Sequence, residues 1–364
     1  MNIFHIVSNR VWGGGEQYVY DLLFHLKNDR YDTALFCRNY EAVLNNFRKL
    51  HCKIFILPLR GFIDIFSAIS IALKIKKGNN IIHIHNFKDL FTAVLSKKIS
   101  RNKNNKIVMT RHLVKKGKNS LLYRWLYRNT DKMIFVSNIA RDEFFRGIKN
   151  NHNINYEIIH NSIAPCHKTD NQITDIRETY RIPENKSILM YLGRIDREKG
   201  VDVLIKALEA VDKDLYHLII AGTGNEKYIQ DIKAEINLKE LGDNISFTGY
   251  IQNPQQIIKQ SDIGILPSIV KEALGLSNLE FMQAGKPQIS SNNGAQSEYL
   301  ENNKTAVLIE PDNDYELKKA IIDLIANKEK QQELGLNARK KFLNDLSYTK
   351  FYKKIKGVYE EISG

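Results

Sequence analysis

Cysteine is close to absent. The 364 residues hold three, Cys37, Cys52 and Cys166, an odd number with no metal-like spacing. That argues against a disulfide scaffold or a cysteine zinc site and for a reduced, cytoplasmic protein. Long apolar runs are missing as well. The greasiest stretch, residues 65–73, is about half the roughly 18 residues that a membrane-spanning helix needs. The chain opens directly on Ile3-Phe4-His5-Ile6-Val7, without a basic start and a small-residue cleavage site, so no secretory signal is expected. Proline is sparse at 7, while 43% of residues are hydrophobic and 26% charged, which excludes a disordered or collagen-like chain and leaves enough apolar side chains for sizeable cores. Acidic residues are scarce in one half only. Residues 1–165 carry 27 basic and 11 acidic side chains, residues 166–364 carry 27 and 30. The basic half is expected to face something anionic, a nucleic acid or a membrane surface, with compositional drift as the plain alternative.

What is present is an alternation of short apolar runs with longer amphipathic stretches. Strands are expected at 2–7, 33–37, 53–57, 81–84, 106–110, 133–136 and 157–159, and again at 187–192, 217–221, 245–248, 264–266, 288–290 and 307–309. Helical patterns fall between them at 16–26, 63–76, 90–100, 120–129 and 139–145, then at 201–211, 228–238, 254–259, 278–284, 315–326 and 328–342. Strand–helix alternation argues for parallel sheets covered on both faces. One open sheet of that many strands would be unusual, so two doubly wound α/β domains facing across a cleft are expected. The polar stretch 161–186, with Pro165 and Pro183, is the best boundary. It divides the chain into 1–165 and 166–346, with a last helix near 347–364 returning to the first domain.

Ligands of such sheets bind beyond the carboxyl ends of the strands, so the turns there carry the argument. After the first strand come Gly13, Gly14, Gly15 and Glu16, a turn that could bring backbone N–H groups to an anion or could simply be flexible. It fits neither the dinucleotide fingerprint nor the phosphate loop ending in Lys-Ser/Thr. The segment GRIDREKG, 193–200, sets Arg194 and Lys199 beside a helix start, suited to a diphosphate. Its bland reading is an exposed charged turn with Arg197 and Glu198 paired. Gly222 sits in a third Gly-rich turn. In EALGLSNLE, 272–280, Ser277 and Glu280 match a capping box, so Glu280 could merely cap a helix that stops at Gly285, whereas Glu272 lies outside any helix and suits a hydroxyl-rich sugar or ribose. His83, His85 and His112 stand at strand ends; no H-x-x-x-H metal spacing or Ser/Cys triad arrangement is seen.

Taken together, these segments resemble the family-4 retaining glycosyltransferases of GT-B architecture, over nearly the whole chain. EALGLSNLEFMQAGKP is similar to that family's E-x7-E segment, with Leu274 and Phe281 at positions usually Phe and Ala. GRIDREKG, the GGGE turn, IIHIHN and the later T-R-H match further motifs, while HNSI (160–163) and NNGAQSE (292–298) depart from the family's patterns at Ser162 and around Gln296. The resemblance implies a nucleotide-diphosphate sugar donor, with UDP favoured over GDP although the sequence does not name the base, and neither a cofactor nor a metal. It implies that Arg194 and Lys199 hold the diphosphate, that Glu280 takes the ribose, and that Glu272 with Gly275 and Leu276 holds the transferred sugar. Gly14, Gly15, Gly193 and Gly222 would border the donor. His112 would lie by the sugar and leaving phosphate, with Glu16 and His85 on the acceptor side.

The implied activity is transfer of a sugar, with retention, to a glycan or lipid-linked glycan in cell-surface polysaccharide assembly. A same-fold epimerase or phosphorylase would lack the paired glutamates, and a phosphorylase would need a pyridoxal-binding lysine. A nucleic-acid module would use the basic half, but no recognised nucleic-acid motif appears, so no nucleic-acid partner is expected. A peripheral position on the inner face of the cell membrane is expected from the charge, with residues 62–77 and 120–128 as candidate contacts. The apolar face of the first of these is expected to pack on the sheet rather than insert.

Overall fold

Runs rich in Ile, Leu, Val and Phe with almost no polar interruption form strands that are buried on both faces, as parallel strands covered by helices must be. The structure is a computed structural model and describes residues 1–148, 154–165, 175–251 and 253–364, so Cys166 and much of the expected 161–186 boundary lie outside the described residues. In chain order the first elements are β1 (Asn2–Val7), α1 (Gly14–Asn28), β2 (Asp32–Cys37), α2 (Glu41–Arg48), β3 (Lys53–Ile56), α3 (Ile65–Lys74), β4 (Asn80–Ile84), α4 (Leu90–Ser100), β5 (Asn105–Arg111), α5 (Leu121–Arg128), β6 (Lys132–Phe135), α6 (Asn138–Arg146) and β7 (Tyr156–Ile158). They build a parallel sheet ordered β3-β2-β1-β4-β5-β6-β7.

The second series is α7 (Ile176–Tyr180), β8 (Ser187–Leu192), α8 (Val201–Glu209), β9 (Tyr216–Ala221), α9 (Glu226–Leu238), β10 (Ile245–Gly249), α10 (Gln255–Ile258), β11 (Ile263–Leu266), α11 (Leu276–Ala284), β12 (Gln288–Ser291), β13 (Val307–Ile309), α12 (Asp314–Ala326) and α13 (Lys328–Lys341). Its parallel sheet runs β10-β9-β8-β11-β12-β13. The last helix is α14 (Tyr348–Ser363). The chain divides into two compact units, Met1–Asn161 with Thr349–Gly364, and Ser162–Tyr348. The division falls ahead of the expected 165/166 because Ser162 donates its hydroxyl to Leu346 O and Gln283 donates to Ile163 O, tying those residues to the second unit. Within the first unit, α14 is fixed by Lys132 to Glu361 at 2.9 Å, Lys356 to Asp29 at 2.6 Å and a buried Tyr359–His83 hydrogen bond at 2.6 Å.

Both sheets are doubly wound. Their order reverses between β1 and β4 and between β8 and β11, and these are the positions where such sheets open a crevice for ligands. The segments that follow these four strands contain Gly13–Glu16, His85, Gly193–Lys199 and Glu272. Two helices escape the sequence pattern. Helix α2 buries only Val43, Leu44 and Phe47 amid polar residues, and α7 is five residues long.

Candidate active site

In the second unit, the turns after β8, β9 and β11 pack backbone against backbone. Gly222 has φ 143°, and a Cβ there would lie 1.8 Å from Gly193 O. Gly200 has φ 68°, and a Cβ there would lie 2.1 Å from Pro267 O. The N–H groups of Gly193 and Gly222 already donate to Ala221 O at 3.0 Å and Gly249 O at 2.8 Å. These two expected donor-binding glycines therefore supply close approach rather than spare N–H donors.

The close packing sets Lys199 against Glu272. Lys199 Nζ lies 2.5 Å from Glu272 Oε1, with side chains 19% and 10% exposed, and Ser268 donates its hydroxyl to the same oxygen at 2.5 Å. Glu272 thus has two partners that sequence reasoning did not supply. Arg194 is exposed and is held by Asp196 at 2.6 Å and Glu198 at 3.4 Å. The anticipated Arg197–Glu198 pair is not seen; Arg197 instead lies over the Tyr228 ring at 6.0 Å. A cavity of 610 Å³ borders this turn, walled by Arg194, Asp196, Arg197, Asn225, Lys227 and Tyr228, among others.

The capping-box reading of Glu280 fails. Helix α11 starts at Leu276 with Gly275 as its cap at φ 82°, which leaves Ser277 inside the first turn. The Ser277 hydroxyl donates to Leu192 O at 2.6 Å instead of capping. Glu280 accepts from Gln255 Nε2 at 2.5 Å, and burial, opposed by that hydrogen bond, pushes its carboxyl up to about 7. Tyr299, which sequence reasoning missed, holds the Glu272–Gly275 loop by donating to Leu274 O at 2.5 Å, with Gly275 O at 3.2 Å. Leu276 follows that loop directly and is half-buried.

In the first unit, strand register does the gathering. His5 of β1 pairs with His83 of β4, and His85 lies two residues on, the spacing that returns a strand to the same face. The His5 and His85 rings stack at 5.2 Å with Nδ1 and Nε2 2.9 Å apart, His83 and His85 stand at 4.2 Å, and His112 lies 5.8 Å from His85. Burial drives His5 down to about 3 and His112 to about 4, and holds His83 and His85 well below the usual imidazole range. All four are therefore neutral near pH 7. Ring nitrogens of His5, His83 and His85 lie within 4.8 Å of one another, a grouping that spacing along the chain did not reveal because His5 comes from another strand. It could converge on a metal ion only if His83 gave up Tyr359 or Thr110, its partners at 2.6 and 2.7 Å.

Glu16 lies at the start of α1, where its carboxylate accepts from Asn9 Nδ2 at 2.5 Å and from the backbone N–H of Gly13 and Glu16. The helix terminus expected to receive an external anion is thus already facing the chain's own. Gly14 is exposed, and the space where a Gly15 Cβ would stand is open. His112 Nδ1 is 3.5 Å from Asn161 Nδ2, while its Nε2 is buried with no partner among the described residues. It is the one imidazole of the four with a nitrogen left over and no histidine hydrogen bond.

The family model described as Glycosyltransferase Family 4 matches residues 12–165, and that described as Glycosyl transferases group 1 matches residues 172–341. The chain is 26% identical over 258 residues to an uncharacterized glycosyltransferase of Methanocaldococcus jannaschii, covering 68% of this chain and 65% of that protein. It is 28% identical over 255 residues to an O-antigen biosynthesis glycosyltransferase of Escherichia coli, 63% of this chain and 68% of that one. Across three relatives from Methanocaldococcus, the matched part spans between 53% and 65% of their length. An Anabaena protein solved in complex with UDP and glucose superposes with a TM-score of 0.85 at 17% identity, over 99% of this chain and 100% of that one, a likeness of fold.

Proposed function

The chain belongs to the family-4 glycosyltransferases and has their two-domain GT-B fold, and from that premise we propose that it is a retaining, metal-independent hexosyltransferase. Its donor is a nucleotide-diphosphate sugar, UDP before GDP, consistent with the nucleotide bound by the Anabaena relative of like fold. The observation that carries this reading is the set Arg194, Lys199, Glu272 and Glu280, drawn from the turns and helix that follow the adjacent strands β8 and β11.

In this reading Arg194 and Lys199 take the diphosphate and stabilise the charge that grows as the sugar–phosphate bond breaks, the task a divalent cation performs elsewhere. Phosphate oxygens replace Glu272 at Lys199, and the released carboxylate accepts from hydroxyls of the transferred sugar. Glu280 accepts from the ribose. His112 contributes a neutral imidazole at the sugar and leaving phosphate, and Glu16 and His85 stand on the acceptor side. The acceptor oxygen joins the anomeric carbon on the face the diphosphate leaves, so configuration is kept. The acceptor is a glycan or lipid-linked glycan of a cell-surface polysaccharide, in keeping with the O-antigen role named for the Escherichia coli relative. The surplus of basic residues in 1–165 favours a peripheral place on the anionic inner face of the cell membrane.

A panel of UDP- and GDP-sugars, scored by melting temperature and by nucleotide release with and without EDTA, tests the proposal. One donor should stabilise the protein and be turned over equally in EDTA. Stabilisation by DNA and by no nucleotide would favour the nucleic-acid reading instead.

A further inference from the structure

Helix α3 is apolar on both sides. Its inner side, Ala68, Ile71 and Ala72, is buried against the first unit. Its outer side carries Ile65, Phe66, Ile69 and Leu73 at helical spacing, and these are exposed, Phe66 by 81% and Leu73 by 68%. One side of the helix is therefore covered and the other is not. A surface helix ordinarily turns charge outward; α3 turns Ile, Phe and Leu outward. It is also capped by a carboxylate that stays hidden, since Asp64 is buried and accepts from Ser67 N and Arg60 N at 2.9 and 2.8 Å.

The patch continues onto α5. The Phe62 ring, just ahead of α3, meets Tyr123 at 5.3 Å and Phe91 at 5.6 Å, and α5 exposes Leu121, Leu122 and Trp125. The charge around the patch has one sign. Residues 60–130 contain sixteen Lys and Arg but only two acidic residues, Asp64 and Asp89, and both of those are buried. Lys74, Lys76 and Lys77 close α3, and Lys115, Lys116, Lys118, Arg124 and Arg128 flank α5, all exposed. Among the described residues no helix is long and apolar enough to cross a membrane, and α3 has ten residues.

We propose that the outer faces of α3 and α5 insert side by side into the headgroup–acyl boundary of an anionic bilayer, with the surrounding lysines and arginines on the lipid headgroups. The proposal deepens the peripheral-membrane reading above, because attachment then has an apolar component in addition to charge. Charge complementarity selects this occupant: an apolar stripe ringed by cations, with no exposed carboxylate in the segment, matches acyl chains beneath anionic headgroups. Trp125, an amphipathic ring at the edge of the patch, is suited to the interface.

The full-length protein is floated with phosphatidylcholine vesicles, and with vesicles containing phosphatidylglycerol, at low and high salt. Wild type should bind the anionic vesicles, retain part of that binding at high salt, and shift Trp125 emission to the blue relative to W125F. The variant F66E/L73E should lose about tenfold or more of its vesicle affinity with its melting temperature and its response to UDP unchanged. Wild-type binding by F66E/L73E, or unmoved Trp125 emission in vesicle-bound protein, overturns insertion while leaving charge docking standing. Absence of binding to any vesicle overturns both, as does concentration-dependent self-association abolished by F66E/L73E, which would assign the face to a second copy of the chain. The response to UDP, read separately, reports on the glycosyltransferase reading.

Discussion

Truncating Lys199 should damage the protein in two ways, in stability and in turnover, where truncating Arg194 should damage turnover alone. The sequence places both cations on one exposed turn, but the structure separates them. Lys199 is 19% exposed and faces a Glu272 that is 10% exposed, whereas Arg194 is 62% exposed. In Lys199→Ala the Glu272 carboxylate keeps, among the described residues, the Ser268 hydroxyl as its one remaining side-chain partner. Removing one partner of a buried ion pair costs about 3–5 kcal/mol, and the residual exposure of this pair puts the expected loss at about 3. Arg194→Ala gives up solvent-facing pairs with Asp196 and Glu198, worth within about 1 kcal/mol. If both cations hold the leaving diphosphate, each variant should also lose about 2–4 kcal/mol of transition-state stabilisation, a drop of about 30- to 1000-fold in kcat/KM.

The second change that isolates the stability effect is Glu272→Gln. In the Lys199→Ala background it removes the stranded charge while keeping the side chain's size, so it should restore most of the lost stability and none of the turnover. Urea unfolding of the wild type, both single variants and the double variant closes the cycle, with nucleotide release read on the same samples. The reasoning is refuted if Lys199→Ala unfolds at the wild-type urea concentration, or if adding Glu272→Gln to it recovers nothing.

Three further outcomes are expected. Burial raises Glu280 to about 7 from 4.5, so its contribution is intact below about pH 4.5 and is lost progressively as pH rises from there to about 7; Glu280→Gln should exceed wild type in stability by less than about 1 kcal/mol at pH 5 and by about 3 kcal/mol at pH 8, while nucleotide affinity falls, as urea titrations and UDP binding at the two pH values will report. The buried imidazoles His5, His83, His85 and His112, together with His217, bind protons in the unfolded chain below about 6.5 but not in the folded one, each subtracting about 1.4 kcal/mol per pH unit, while Asp89 and Glu280, both raised to about 7, and Glu16, also raised, act oppositely; the balance is a loss of about 3–4 kcal/mol per pH unit below 6.5, and equal unfolding free energies at pH 7.5 and 5.5 would falsify it. Tyr299→Phe should cost about 1–3 kcal/mol by removing the donor to Leu274 O, and should lower kcat/KM beyond what the stability loss explains if the loop carrying Glu272 loosens.

The fold was legible because its strands are apolar runs buried on both faces, and each of the thirteen expected strands begins and ends within a residue or two of an observed one. Helix α2 was not, since its buried Val43, Leu44 and Phe47 make too narrow a stripe among polar neighbours. The site was legible where it is local. The segment 193–200 shows Arg194 and Lys199 at a helix start, and Gly285 with Pro287 marks the end of α11. It was hidden where pairing is distant: Lys199 and Glu272 are 73 residues apart, Gln255 and Glu280 are 25, and His5 meets His83 only through strand register. The capping box misled for a physical reason. Gly275 takes the positive-φ cap cheaply, so the cap lies two residues ahead of the Ser277 that the pattern favoured.

The distribution of charge bears on how a diphosphate would be recognised. The second unit carries no surplus of cations, since residues 162–348 hold 23 basic and 28 acidic side chains. Its two candidate phosphate ligands already face carboxylates, Arg194 those of Asp196 and Glu198 and Lys199 that of Glu272. A diphosphate arriving there exchanges partners rather than meeting bare cations, and part of its Coulomb gain is offset by the pairs it breaks. The exchange has a directional consequence. Releasing Glu272 from Lys199 leaves a carboxylate with lone pairs to satisfy beside the same phosphate, and sugar hydroxyls are suited to satisfy them. A nucleotide diphosphate without its sugar would leave that carboxylate only Ser268 and water. The nucleotide sugar should therefore bind more tightly than the nucleotide diphosphate, and the difference should shrink in Glu272→Gln, where there is no stranded charge. Equal affinities in the wild type, measured by calorimetry, would show that Glu272 stays on Lys199 in the bound state.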